Sequence, residues 1–240
     1  MCTVTFAAIN GRTVITSNRD EQVVRPAMQP LVYSVGHKRL LFPKDPRAGG
    51  TWFSVDENGN AAVLLNGGFE KHVRKSSYER SRGLIVLDII SDASPIICWK
   101  QINLTEVEPF TLILFESQNL YQLVWDGFQK HCQHLDSSQS YIWSSSTLYP
   151  AAVRAQRQLL FTKFIYDHID VTADELFDFH KNTSPLDHEN GLVINRNGIL
   201  KTLTITQAII SEESTLVKHD DLINNMASLN EIFHLQKSDR

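Results

Sequence analysis

Apolar and polar residues alternate at the head of the chain, where TVTFAAIN runs into GRTVITSN. This two-residue period predicts strands at roughly 2–9 and 13–18, joined by a turn at Asn10-Gly11. LVYSVG, KRLLFP, GTWFSVD and GNAAVLLN read as further strands, the last two separated by a turn at Glu57-Asn58-Gly59. The period then lengthens. SSYERSRGLIVLDIISDA predicts a helix capped by Ser76 or Ser77, with Leu84, Ile85, Leu87 and Ile89 on a broad apolar face. Gly83 within it costs about 1 kcal/mol relative to alanine, which points to a close neighbour at that position.

Strand patterning returns in FTLILFE and NLYQLVWDG, with FQKHCQHL continuing the meander. After SYIWSSSTLYP comes a long helix over about 150–168, with Val153, Leu160 and Phe164 on one face, and then a shorter helix, TADELFDFH, capped by Thr172. NGLVINRNGILKTLTITQAII, turning at Asn197-Gly198, and STLVKH read as strands, and DDLINNMASLNEIF as a terminal helix. Hairpins rather than strand–helix–strand alternation dominate. The expected class is therefore α+β, with layered antiparallel sheets in one domain over 1–240.

Composition narrows the function classes. The 240 residues are 42% hydrophobic and 21% charged, enough to build a sizeable core and too apolar for a disordered chain. A net charge of -4 gives no chain-wide attraction to nucleic acid or anionic membrane, although Lys71, Arg74, Lys75, Arg80 and Arg82 cluster locally, diluted by Glu70 and Glu79. No apolar run reaches the ~18 residues of a membrane span, and the N-terminus lacks the form of a signal peptide. Cys2, Cys98 and Cys132 are too few for a disulfide framework, which favours a reducing, cytoplasmic setting.

Cys2 carries the first candidate chemistry. Removal of Met1 would leave a thiol and a free α-amino group on one residue. With reference pKa values of ~8.5 for the thiol and ~7.7–8.0 for the amine, the amine is poised to take the thiol proton. Alternatively Cys2 is only a small residue starting a strand. A hairpin turning at Asn10-Gly11 sets antiparallel partners summing to about 21, within a one-residue slip of the turn, so Cys2 is expected across from Arg19, flanked by Asn18 and Asp20. There Asp20 could hold the amine and Arg19 lower the thiol pKa; a solvated charged turn is the plainer alternative.

Asn66, followed by Gly67-Gly68, could supply a side-chain amide and a neighbouring N–H to an oxyanion, or merely form a turn. Gly50 beside Trp52 could line a substrate cleft, or Trp52 could belong to the core. The serines of SSSTLYP could bind an anion at the start of the following helix, but read better as ordinary helix caps. His131-Cys132-Gln133-His134 lacks a second ligand cluster, so no metal is expected, and there is no P-loop, dinucleotide fingerprint or G-x-S-x-G elbow.

MCTV, SNRDE, FPKDPRAGGTWFSV, NGNAAVLLNG, SRGLIVLD, EPFTLIL and WSSSTLYP, in this order along almost the whole chain, resemble the NRDE family, also called the Transport and Golgi organisation 2 family. The resemblance implies a four-layer αββα sandwich of the N-terminal nucleophile hydrolase type. More distantly, the opening is similar to cysteine amidases of the choloylglycine hydrolase and acid ceramidase type, which carry a basic residue followed by Asn-x-Asp after the second strand. Asn18-Arg19-Asp20 supplies that Asn-x-Asp, which implies Asp20 as partner of the α-amino group and Asn66 as the oxyanion asparagine. The basic position falls on Ser17, and Arg19 lies between the matching residues.

Two functions of different classes follow. The first is an amidohydrolase of linear amides with Cys2 as nucleophile, Asp20, Arg19 and Asn66 in support, and Asn18, Gly50, Trp52 and Gly67 around the substrate; it needs no cofactor. The second is a carrier of a hydrophobic ligand such as haem, with Cys2 as a thiolate ligand and Trp52 walling the site. Neither implies a nucleic-acid partner, and neither defines an oligomeric state.

Overall fold

A computed structural model describes residues 3–168 and 170–235. The first hairpin forms as its sequence predicts. Strand β1 (Thr3–Ile9) pairs antiparallel with β2 (Arg12–Gln22) in a register whose partners sum to 21, Thr3 facing Asn18. Asn10 and Gly11 both take positive φ, 49° and 75°, which gives the tight turn its twist. Next come β3 (Met28–Val35), β4 (Lys38–Lys44), β5 (Phe53–Asp56) and β6 (Ala61–Asn66), a meander that β7 (Phe110–Glu116), β8 (Asn119–Trp125) and β9 (Lys130–Leu135) continue into one seven-stranded sheet in chain order. Between β6 and β7 lie α1 (Arg82–Ser91) and α2 (Pro95–Gln101).

The other sheet closes late. β10 (Tyr141–Ser144) joins the outer side of β1. After α3 (Ala151–Asp167) and α4 (Ala173–Asn182), the short β11 (Asn195–Arg196) leads into β12 (Leu200–Ile210), which pairs with β2. β13 (Ser214–Asp221) and β14 (Met226–Phe233) complete the order β10-β1-β2-β12-β13-β14, with β11 beside β12.

Burial explains which strands read as alternating and which as continuously apolar. The second sheet lies between the first sheet and α1–α2, so β5 and β7 are buried along their whole length, and β6 up to Asn66. Val4, Phe6 and Ile15 from the first sheet share one core with Phe53, Leu64, Leu112, Phe115 and the α1 residues Ile85 and Ile89. Each such side chain contributes on the order of 1.5–3 kcal/mol by leaving water. The opposite face of β1 and β2 is covered by α3 and α4, where Ala7, Ile9 and Val14 meet Phe161, Leu176 and Phe179. The layers are thus helices, sheet, sheet, helices: the expected αββα sandwich.

Four local expectations are corrected. The first helix starts at Arg82 and is capped by Ser81, not by Ser76 or Ser77, because residues 74–78 turn into a loop that walls a cleft. Its companion α2 is an addition that seven residues of PIICWKQ did not signal. The residues before Asn195 are not a strand, which leaves β11 only two residues long. The stretch 220–233, expected as a terminal helix, instead ends β13, turns where Asn225 has a φ of 52°, and forms β14, which pairs along its length with β13. Asn and Ser are poor helix formers, and the open edge of β13 offers a ladder that local preference cannot weigh.

Candidate active site

The charged quartet at the end of β2 is divided by strand alternation. Ser17 and Arg19 face the second sheet, whereas Asn18 and Asp20 face the α3–α4 layer. Opposite them β12 shifts register between Thr202 and Thr204, so that Asp20 faces Thr202 and Arg19 faces Thr204. Arg19 thus lies on the same face of β2 as Ser17, two residues on.

Arg19 is 2% exposed. Its guanidinium lies 4.4 Å over the ring of Trp52, donates to the Arg25 carbonyl, and stands 3.8 Å from Asp45. With Glu21, Gly50, Trp52 and Asn66 it lines a cleft of about 270 Å³ closed by the loop before α1. Trp52 serves both expected roles, being part of the core cluster as well as of the cleft wall. Gly50 lines the cleft too, but its lack of a side chain serves packing: a Cβ there would collide with the main chain of Gly83. The reciprocal contact, 2.8 Å from a Gly83 Cβ to the Thr51 carbonyl, is the close neighbour that a glycine inside α1 predicts.

Asn66 ends β6 at the cleft, with its side-chain carbonyl buried and lacking a donor among the described residues. The neighbouring N–H proposed from sequence is not available at Gly67, because that N–H donates to the Pro109 carbonyl at 3.0 Å. Gly67 instead takes a φ of 86° and packs where a Cβ would strike Ser146. The serines of SSSTLYP correspondingly do not cap α3, whose N-cap is Pro150 without a side-chain bond. Ser145 donates to the Asn66 carbonyl at 2.7 Å, and Ser146 donates to the Glu70 carbonyl, so this loop fixes the end of β6.

Behind β2 lies a second polar cluster that the sequence did not announce. Asp20 accepts hydrogen bonds from Thr202 at 2.5 Å and from the Tyr149 hydroxyl at 2.7 Å. Arg157 of α3 lies 3.6 Å over the Tyr149 ring and donates to Thr3, Ser144 and the carbonyls of Asn190 and Gly191. Asn18 is not a cleft residue: its amide N–H₂ donates to the carbonyls of His180 and Leu192, and its oxygen meets His180 Nδ1. Because that oxygen only accepts, His180 carries its proton on Nδ1, and Nε2 accepts from the Thr5 hydroxyl at 2.7 Å. Burial, followed by the nearby Arg157 charge, pushes His180 down to about 3, so the ring is neutral. A cation-bearing helix position and a histidine facing threonines were the available signals, but only the fold joins them.

Cys2 lies outside the described residues. Of the other cysteines, burial pushes the Cys98 thiol up to about 11, with Asp92 and Asp88 adding to the shift, and burial also raises Cys132. No group of three His, Cys, Asp or Glu side chains suited to a metal occurs among the described residues. None of the described helices is long and apolar enough to cross a membrane.

A family model described as Transport and Golgi organisation 2 matches residues 1–221. No curated protein matches the sequence. Among solved structures, a variant of the conjugated bile acid hydrolase from Clostridium perfringens superposes with a TM-score of 0.64 at 9% identity, covering 95% of this chain and 92% of that one. A second variant, with its second-position cysteine replaced by alanine, gives 0.63 at 9% identity over 100% and 94%. The N-acylethanolamine-hydrolyzing acid amidase ortholog of Caenorhabditis elegans gives 0.57 at 9% identity over 86% and 92%, and penicillin V acylase from Agrobacterium tumefaciens 0.55 at 11% identity over 95% and 85%. These likenesses establish the fold, that of the N-terminal nucleophile hydrolases.

Proposed function

The chain belongs to the Transport and Golgi organisation 2 family and has the N-terminal nucleophile hydrolase fold, and from that premise we propose that it is a cysteine amidohydrolase of non-peptide amides. The observation that carries this reading is the register of the first hairpin. Thr3, the residue after Cys2, is paired with Asn18, level with the cleft residue Arg19 and the buried carboxylate of Asp20. A similar fold whose solved form replaces a second-position cysteine supports the same position as the reactive one.

In this reading Met1 is removed and the α-amine of Cys2 takes the thiol proton. The thiolate attacks the amide carbonyl carbon, and the Asn66 side-chain N–H₂ stabilises the resulting oxyanion. The C–N bond breaks as the ammonium returns its proton to the leaving amine. Water then attacks the thioester, releasing the acid and restoring the thiol. Asp20 holds the ammonium, and Arg19 favours the thiolate by its positive charge.

Intact mass and acylation together test this proposal. The protein is expected to lack Met1 and to gain one acyl group from an N-acyl compound at early time. Cys2→Ala is expected to lose that adduct and at least about 10³-fold of turnover. Retained methionine, or equal turnover by variant and parent, overturns it.

A further inference from the structure

The cleft is strongly cationic although the chain is acidic overall. Arg19, Arg25, Arg74, Lys75, Arg80 and Arg82 line it, against three carboxylates, Glu21, Asp45 and Glu108, an excess of three positive charges in a protein of net charge -4. The basic cluster visible before α1 is the source of four of these. Folding sorts it: Arg74, Lys75, Arg80 and Arg82 line the wall, while Lys71, Glu70 and Glu79 do not.

The carboxylates present are shared rather than matched one to one. Glu108 lies 3.1 Å from Arg82, 3.3 Å from His72 and 3.6 Å from Arg74. Asp45 lies 2.6 Å from Arg25 and 3.8 Å from Arg19. Lys75 and Arg80 turn to Glu106 and Asp88, which are not cleft residues. Burial, the largest influence, lowers the Arg82 pKa; Arg74 and Arg25 add to this, while Glu108 and Glu21 oppose it. An anion in the cleft would relieve that cost.

Two buried donors in the wall ask for an acceptor. The indole N–H of Trp52, a residue 2% exposed, and Nε of Arg25 have no hydrogen-bond partner among the described residues. An unmet buried donor destabilises the protein, and a ligand acceptor entering the cleft would complete it. The wall also includes Ser81, Arg82 and Gly83, the start of α1, whose first turn has no acidic side chain to offset its positive end.

We propose that the cleft binds an amide carrying a carboxylate or phosphate-like group, with the anion at Arg25, Arg82, Arg74 and Trp52 and the amide toward Asn66. The proposal deepens the amidohydrolase reading and rests on it for the reaction, though not for binding. Arginine forks and paired N–H donors suit an oxyanion's several lone pairs, and a neutral group leaves them unmet.

Calorimetric titration of the parent protein with N-hexanoylglycine, N-hexanoylaminomethylphosphonate and the neutral N-hexanoylglycinamide tests this. At least one anion is expected to bind about tenfold or more tightly than the glycinamide, with an advantage that falls as salt rises. Which of the two gains more distinguishes a carboxylate from a phosphate-like ligand. Arg82→Gln is expected to erase most of the advantage and Arg82→Lys to restore part of it. The double variant Arg74→Gln, Lys75→Gln changes exposed side chains, so folding does not confound it, and is expected to lower anion binding several-fold while leaving the glycinamide unchanged. Equal binding of all three compounds by the parent, or an advantage that survives in every variant, overturns the proposal. Discrimination without hydrolysis or acylation of any of them leaves the anion site standing and removes the enzyme reading instead.

Discussion

The two faces of β2 carry similar residue types to opposite ends. On the α3–α4 side, Asn18, His180 and Arg157 are buried and hydrogen-bonded to one another or to their neighbours in a closed network. On the cleft side, buried or half-buried Ser17, Trp52, Asn66 and Arg25 each keep a polar atom without a partner among the described residues. Polar groups that are satisfied within the fold specify the fold. Those left unsatisfied at the wall of a cavity are held ready for something that enters it.

The two asparagines give the sharpest break between the faces. Asn18→Ala removes three buried hydrogen bonds, strands the His180 carbonyl and Nδ1–H, and leaves the Leu192 carbonyl only a 3.4 Å bond from Thr202, so a loss of about 2–4 kcal/mol in unfolding free energy is expected. Asn66→Ala is expected to stay within about 0.5 kcal/mol, because the side-chain carbonyl it removes holds no donor among the described residues. Urea denaturation of both measures the contrast, and equal costs would abolish it.

Acid should act through the closed network. His180 is held at about 3 in the folded protein, below its ordinary 6.5, so the unfolded chain binds the extra proton between those values. Stability from this ring is complete above pH ~6.5 and is lost as pH falls toward 3; between pH 7 and 5 the loss is about 2 kcal/mol. His219, pushed down to about 4 chiefly by burial, contributes stability that is lost over the same range of pH. Urea midpoints at the two pH values should therefore drop for the parent, and drop less for His180→Gln, which carries one titrating group fewer. An unchanged slope would show that His180 is not held neutral.

The smallest effect sharpens the cleft side. Alanine at Gly83 would gain about 1 kcal/mol of helix propensity but would press on Thr51 O and N at 2.8 and 3.0 Å, which costs about 1–3 kcal/mol. Gly83→Ala is expected to be net destabilising by about 1 kcal/mol in thermal or urea unfolding. Stabilisation would mean that α1 has room to retreat from the cleft.

Much of this fold was legible because it is encoded locally. The Asn10-Gly11 turn and its flanking alternation indicated the β1–β2 register, and Thr172 caps α4 as expected, with Glu175 completing a capping box. The lining of the cleft was legible in part. Arg19, Gly50, Trp52 and Asn66 do converge on one cleft, whereas Asn18 turns away from it and Gly67 spends its N–H on Pro109. Those two depend on which side of a strand is covered, and by what. Local preference likewise mistook β14 for a helix, since the edge that recruits it belongs to β13.

The turns, the strand periods and the capped helix are written locally, because each rests on residues within a few positions of one another, and the family signature is a series of such short motifs along the chain. Tertiary structure alone decided that Arg74 and Arg82 would share Glu108 at the cleft while Arg157 and His180 closed a network behind it. Side chains 175 positions apart meet there, as Thr5 and His180 do. Whether a buried polar group ends up satisfied depends on partners that only the folded layers bring within hydrogen-bonding distance.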